Sequence, residues 1–417
     1  MVNAFLNACL DYVVFVEFPP GIGGEKTRTH CLKLFRALYG LKQAPRLWQK
    51  EFAATLRSLG LQQSSNELCL FQNQYLILFF FVDDVVTLYR PEHETFYQSF
   101  WSELSQHYAA RDMGQISWFL GMRVIWDYPN RAVHLCQDSY IEKVANRFHL
   151  AIDHLRQNIT PLPTKPLHKA SDGNYHQKKQ FIHLYQQKVG SALYTALITR
   201  PDAAFAAVRL SCFMNRLTID HMGAVDRLIQ YLYTTQFLAI RYSPINVDLD
   251  PLSHEAAIFT AASDAAFADN PDRKSSEGFL FKLYGGPIDW SAKKQRTVTT
   301  STTEAELLAL SEAAKQLIWW HRLFHNICFQ GASTTIDCDN RQTVRAMIHD
   351  EAIQTRLRHV DIRNHWLRQE HQEGRIHINW IPTTEMPADG LTKALDSDHH
   401  SRFIQQLGLT DVQHLIG

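Results

Sequence analysis

A chain of 417 residues is long for one hydrophobic core, and at about 150 residues per domain it predicts two or three. With 45% hydrophobic and 20% charged residues it is an ordinary globular composition, and 42 basic against 42 acidic residues exclude a bulk pull toward polyanions, so any nucleic-acid surface must come from charge distribution. Seven cysteines without a C-x-x-C pair or zinc-finger spacing exclude a disulfide framework, no stretch reaches the roughly 18 apolar residues of a membrane span, and the first residues lack the order of a signal peptide; an intracellular protein, cytoplasmic or nuclear, is expected.

The first pattern, Cys31 to Gly60, is broken by Gly40 and Pro45. It continues through Leu47, Trp48, Phe52, Leu56 and Leu59, as a loop feeding a helix does. An apolar run from Tyr75 to Val82 is then interrupted by Asp83 and Asp84 before Val85 and Val86. A buried strand tolerates no unpaired carboxylate, so the pair belongs to a hairpin turn, to a divalent-metal site, or to both at once. Phe119–Val124 and Ala132–Leu135 flank a turn at Tyr128–Arg131, and Tyr140–Phe148 has helical spacing. The Pro-rich and polar stretch from Thr160 to Lys179 reads as a linker, and Leu184–Leu238 as two or three helices. After His254 the order becomes three strands (Ala257–Asp264, Phe279–Tyr284, Pro287–Ser291), a helix (about Thr302–Phe324), a strand (Thr334–Cys338), two helices (Arg341–Ile348 and about Ile362–Glu373), a strand (Ile376–Ile381) and a final helix. That order predicts a mixed α/β domain around one sheet.

Four acids fall at element ends of this last domain. Asp264 closes the first strand, Asp339 follows the fourth, and Asp389 stands at the start of the last helix after Pro387. Glu304 and Glu306 lie two apart on one helix, so at most one can face a shared site. Ser301-Thr-Thr-Glu304 is a capping box, which leaves Glu306 as the site candidate. Taken alone, Asp339 reads first as a plain N-cap and Asp389 as a cap or macrodipole partner, but the four together make a two-metal phosphodiester-hydrolysing site credible.

The chain resembles the C-terminal pol region of copia-type retrotransposons, reverse transcriptase followed by RNase H. The resemblance is carried by Ala37-Leu-Tyr-Gly-Leu-Lys-Gln-Ala-Pro-Arg46 with Trp48, Phe81-Val-Asp-Asp84, Phe119-Leu-Gly121, Val189-Gly-Ser-Ala-Leu-Tyr194, Thr199-Arg-Pro-Asp202, Trp290-Ser-Ala-Lys-Lys-Gln295, Ser301-Thr-Thr-Glu-Ala-Glu306, Cys338-Asp-Asn340, His359-Val-Asp-Ile-Arg363 and Ala388-Asp-Gly-Leu-Thr-Lys393. It implies an α+β and α/β multidomain chain: a partial reverse transcriptase palm over 1–155, a linker and helical thumb/connection module over 156–255, and an RNase H-like mixed-sheet domain over 256–417.

Position by position, the resemblance implies that Asp83 and Asp84 are the polymerase metal pair, that Gln43 touches the incoming nucleotide, and that Phe5 screens out a ribose 2′-hydroxyl. Phe119, Leu120, Gly121 and Met122 resemble the primer grip. Asp264, Glu306, Asp339 and Asp389 match the RNase H acids, with Mg2+ as the expected cofactor and Mn2+ as its substitute. Phosphate contacts are expected from Lys33, Arg36, Lys42 and Arg46 on the polymerase side, and from Lys274, Lys293, Lys294, Arg296, Arg356 and Arg358 on the other. His359 and Arg363 are expected to be structural or substrate-contacting. The implied partners are an RNA/DNA hybrid, a primer-template and deoxynucleoside triphosphates, with Gag and integrase implied only through the family, and no membrane.

Two departures matter. The family's Asp-Val-x-x-Ala-Phe-Leu motif would place its aspartate just before Met1, and Asp11 and Glu17 lie beyond it. The expectation is therefore a defective polymerase beside a complete RNase H. The rival expectation is a catalytically silent remnant, or a domesticated module that binds nucleic acid or a partner. Gly390 stands where the family usually has an apolar residue, which on helix propensity would loosen the segment carrying Asp389 by up to about 1 kcal/mol.

Overall fold

The computed structural model describes the chain except residues 23, 25–28, 152–159, 166, 168–178, 245–257, 332, 349–357 and 417 and the side chain of 359. Arg356 and most of the expected linker lie outside the described residues. The chain divides into two compact units, one of residues 1–116 with 321–330, the other of 117–320 with 331–417.

In the first unit, helix α1 (Ala4–Asn7) precedes a ribbon of β1 (Cys9–Val16) and β2 (Leu32–Arg36). Helix α2 (Ala44–Ser58) follows with Pro45 in its first turn, where the missing N–H costs nothing. Trp48, Phe52 and Leu56, spaced by four, form its buried face. They pack on an antiparallel sheet of β3 (Gln62–Gln63), β4 (Leu70–Gln72), β5 (Leu76–Phe81) and β6 (Asp84–Tyr89), followed by α3 (Glu94–His107). Strand β5 buries Leu76, Leu78 and Phe80, every second residue, and Phe52 meets Phe80 edge-on at 4.8 Å. Full burial of such side chains stabilises by about 2–3 kcal/mol each, so this seam fixes the register of the hairpin that carries Asp83.

The second unit begins with β7 (Trp118–Phe119), β8 (Met122–Asp127), β9 (Ala132–Cys136) and helices α4 (Asp138–Arg147), α5 (Lys179–Ile198), α6 (Ala204–Ser211) and α7 (Ile219–Thr234). The helices share a core that includes Tyr185, Val189, Ala192, Leu210, Val225 and Leu228. After β10 (Leu238–Tyr242) come β11 (Phe259–Ala266), β12 (Ser276–Leu283), β13 (Gly286–Lys294), α8 (Thr302–Asn326), β14 (Thr335–Cys338), α9 (Arg341–Ile348), α10 (Arg358–Gln372), β15 (His377–Trp380), α11 (Ser397–Leu407), β16 (Leu409–Asp411) and α12 (Gln413–Ile416). One sheet has the order β13-β12-β11-β14-β15, an antiparallel meander followed by two strands parallel to β11. Helices make the crossovers that parallel pairing requires. The other sheet runs β16-β10-β9-β8-β7.

This is the expected mixed architecture of helices and sheets, with local differences. The expected strand Phe119–Val124 breaks at Leu120 and Gly121, whose φ values of 48° and 80° make the two-residue turn between β7 and β8. Strand β11 continues two residues past Asp264. Asp389 does not start the last helix; it opens a short 3-10 turn, Asp389–Leu391, and α11 begins at Ser397 with Asp396 as its cap. Strands β10 and β16 pair with each other across 169 or more residues of sequence, too short and too distant to leave a periodic signal.

Candidate active site

In the first unit, Asp83 sits in the two-residue turn between paired Phe81 and Asp84. Val82, the other turn residue, has φ 53°, a left-handed conformation costly for a β-branched side chain. Its surroundings hold it there: Trp48 Nε1 donates to the Val82 carbonyl at 2.9 Å. Asp83 Oδ1 accepts from Tyr39 Oη at 2.8 Å and from Ala4 N at 3.2 Å, whereas Asp84 points to solvent. Phe5 is buried against Tyr39 with ring centroids 4.6 Å apart, Gln43 precedes α2, and Lys33, Arg36, Lys42 and Arg46 are exposed. The turn at Phe119, Leu120, Gly121 and Met122 belongs to the second unit, where Tyr194 Oη donates to the Leu120 carbonyl at 3.0 Å.

In the second unit, Asp264, Glu306 and Asp339 come together, each offering a carboxylate oxygen within 4.8 Å of the others. Sheet order makes this possible: Asp264 rides on central β11, Asp339 leaves neighbouring β14, and Glu306 faces β11 from the first turns of α8. Local capping frees the acids. Glu304 is occupied by Thr300, accepting from its N and its Oγ1 at 2.7 Å, while its own N–H donates to Ser301 Oγ. The cap of α9 is Asn340, whose Oδ1 accepts from Thr343 N at 3.0 Å, so Asp339 is not spent as an N-cap. Asp389 lies outside the tight trio, paired with Lys393, but its charge reaches Asp264 and Glu306.

Burial and mutual repulsion mark the cluster. Desolvation pushes Asp264 up to about 7, partly opposed by the Thr392 hydroxyl and reinforced by Asp389 and Asp339. Glu306 is raised well above the usual carboxylate range, again by burial first and then by Asp264 and Asp339. Asp389 is raised by burial despite Lys393. Glu306 Oε2 is buried with no hydrogen-bond partner among the described residues. An orphaned buried oxygen beside two other carboxylates, with no nitrogen or sulfur donor among the three, suits a hard divalent cation such as Mg2+ or Mn2+.

Among the expected phosphate contacts, Lys293, Arg296 and Arg358 are exposed, while Lys294 is engaged with Asp272 at 2.7 Å. Arg363 ties α10 to α8, its Nη1 at 2.9 Å from Glu312 and donating to Ser311 Oγ at 3.0 Å. Sequence reasoning assigned no role to Thr383, Thr392 or Lys393, which surround the acids, nor to Arg200. That guanidinium is fully buried, bound to both carboxylate oxygens of Asp202 and to Thr235. Tyr231 donates to Asp202 at 2.6 Å and lies 2.8 Å from His400 Nε2 on α11. The family strings held the only signal: Thr199–Asp202 and Ala388–Lys393 contain several of these residues without indicating what they touch.

A five-stranded mixed sheet in this order, with helices supplying its crossovers, defines an RNase H-like domain in a chain that also carries a reverse transcriptase-type hairpin unit. The family model described as reverse transcriptase (RNA-dependent DNA polymerase) matches residues 1–162. The chain is 30% identical over 405 residues to the retrovirus-related Pol polyprotein from transposon TNT 1-94 of Nicotiana tabacum, an alignment covering 94% of this chain and 29% of that protein. It is also 30% identical over 322 residues to the transposon Ty5-1 protein YCL074W of Saccharomyces cerevisiae, covering 76% of this chain and 99% of that one. The N-terminal RNase H domain of rv2228c from Mycobacterium tuberculosis overlays with 15% identity and a TM-score of 0.25, covering 35% of this chain and 96% of that one. The chain belongs to the copia-type retrotransposon Pol polyproteins. It spans less than a third of the first plant relatives it matches, 29% and 27% of their lengths. No helix among the described residues is long and apolar enough to cross a membrane.

Proposed function

We propose that residues 256–417 form a metal-dependent ribonuclease acting on the RNA strand of an RNA/DNA hybrid. In this reading, 1–155 is reverse transcriptase palm and 156–255 a linker and helical connection. The single observation carrying it is the meeting of Asp264, Glu306 and Asp339 within 4.8 Å. Asp264, Glu306 and Asp339 would hold the ions, with Asp389 at the margin. Bound Mg2+ would supply an activated water and steady the leaving oxygen.

The chain's own contribution is to hold buried carboxylates close together and largely dehydrated, at a cost that a cation offsets. Lys293, Arg296 and Arg358 would meet backbone phosphates, giving recognition by shape and charge instead of base identity. In the first unit, Asp83 and Asp84 would be a polymerase carboxylate pair, with Gln43 and Phe5 near the nucleotide.

The test is cleavage of an end-labelled RNA/DNA hybrid in Mg2+, with EDTA and Asp264→Asn as controls. Loss of a metal ligand should reduce the rate by more than about a hundredfold, since outer-shell partners alone are worth 10–100-fold. A wild-type rate equal to that of Asp264→Asn would reject the nuclease and favour a silent remnant.

A further inference from the structure

Each carboxylate of the trio has one oxygen held by a protein donor. Asp264 Oδ2 accepts from the hydroxyl of Thr392, and Asp339 Oδ2 from that of Thr383 at 2.7 Å. Glu306 Oε1 accepts from Ala265 N at 3.3 Å, and its Oε2 has no partner. Both threonines come from one short segment after β15, and Asp389 lies between them. Asp264, by contrast, sits on β11, and Asp339 follows the end of β14.

Resting on the nuclease reading above, we infer that Thr392 and Thr383 are positioning residues for the metal site. A free Asp carboxylate rotates broadly about its terminal torsion and would turn away from two like charges. A hydroxyl donor on one oxygen fixes that rotation and presents the other oxygen to the shared centre. Thr392 is completely buried, so no water competes for its proton. Its oxygen also lies 3.0 Å from the Asp389 carbonyl, but the charged carboxylate is the stronger acceptor. The segment 383–393 therefore supplies one acid and orients two others.

The experiment measures Mn2+ binding to the full chain by electron paramagnetic resonance, without nucleic acid, for wild type, Asp264→Asn, Thr392→Val, Thr392→Ser and Thr383→Val. Thr392→Val keeps the shape and removes the donor; it should weaken Mn2+ binding by about 10–100-fold, with Thr392→Ser restoring most of it. The Mg2+ concentration for half-maximal hybrid cleavage should rise in parallel while the KM for hybrid stays constant. Thr383 is exposed, so Thr383→Val keeps the test available if Thr392→Val does not fold, and it too should weaken Mn2+ binding. Wild-type affinity in both valine variants, with Asp264→Asn impaired, overturns the positioning role alone. No Mn2+ binding by wild type overturns that role and the nuclease reading together.

Discussion

The ring of Phe403 fills the space a side chain at Gly390 would need: an added Cβ would lie 2.4 Å from Cδ1 of that ring. Helix propensity alone would make Gly390 a weak point in a helix. The structure gives a different account, because residue 390 sits in a 3-10 turn and the missing side-chain volume is supplied by α11. Gly390→Ala should cost about 1–3 kcal/mol through overpacking, and Phe403→Ala about 3–5 kcal/mol through the cavity it leaves. Urea unfolding of Gly390→Ala/Phe403→Ala should give a loss well below the sum of the single variants; simple additivity would mean that the two positions do not share this volume.

Arg200 and Asp202 join the helices to α11 through Tyr231 and His400. Burial would raise Asp202, yet Arg200 holds it below its usual value. Removing one member of such a pair strands a buried charge, so Arg200→Ala should lose about 3–5 kcal/mol. Tyr231→Phe, which deletes only the bridging hydroxyl, should lose about 1–3 kcal/mol. Equal denaturation midpoints for wild type and Arg200→Ala would refute the lock.

His400, His134 and His221 are each lowered from their ordinary value of 6.5, in every case by burial first. The folded state thus binds fewer protons than the unfolded one just below pH 6.5. Their contribution is complete above pH 6.5 and is lost as pH falls through the folded values. The stability difference between wild type and His400→Gln, followed by urea midpoints from pH 7.5 to 5, should shrink toward acid. A pH-independent difference would contradict a buried neutral imidazole.

The acid cluster has the opposite sign. Asp264 is raised to about 7, so without metal its effect is a stability that falls as pH rises from about 4 through 7. A bound cation should compensate most where the carboxylates are charged. Mg2+ should therefore raise Tm more at pH 8 than at pH 5, and Asp264→Asn should abolish most of that difference. The same increment at both pH values would argue against a metal held by these groups.

Much of the architecture was legible because its signals are local. The apolar run of β5, the four-residue spacing of Trp48, Phe52 and Leu56, and the Ser301–Glu304 cap each depend on residues within a turn or two of one another. The cap even separated Glu304 from Glu306 before any geometry was known. What stayed illegible depends on contacts between separate elements: β10 with β16, Phe403 with Gly390, Thr392 with Asp264. None has a period, and none changes the residue types expected on its own element.

By itself, the sequence determined the family, the strand and helix order from β11 to β15, and which acids are candidates for chemistry. Apolar periodicity and motif order are written along the chain. Only the tertiary structure decided which acids share a centre, that Asn340 and not Asp339 caps α9, that Arg200 gathers Asp202 and Thr235, and that Thr383 and Thr392 hold carboxylates 44 and 128 residues away. Those are choices of packing, made where burial forces each polar group to find a partner, and no one-dimensional pattern records them.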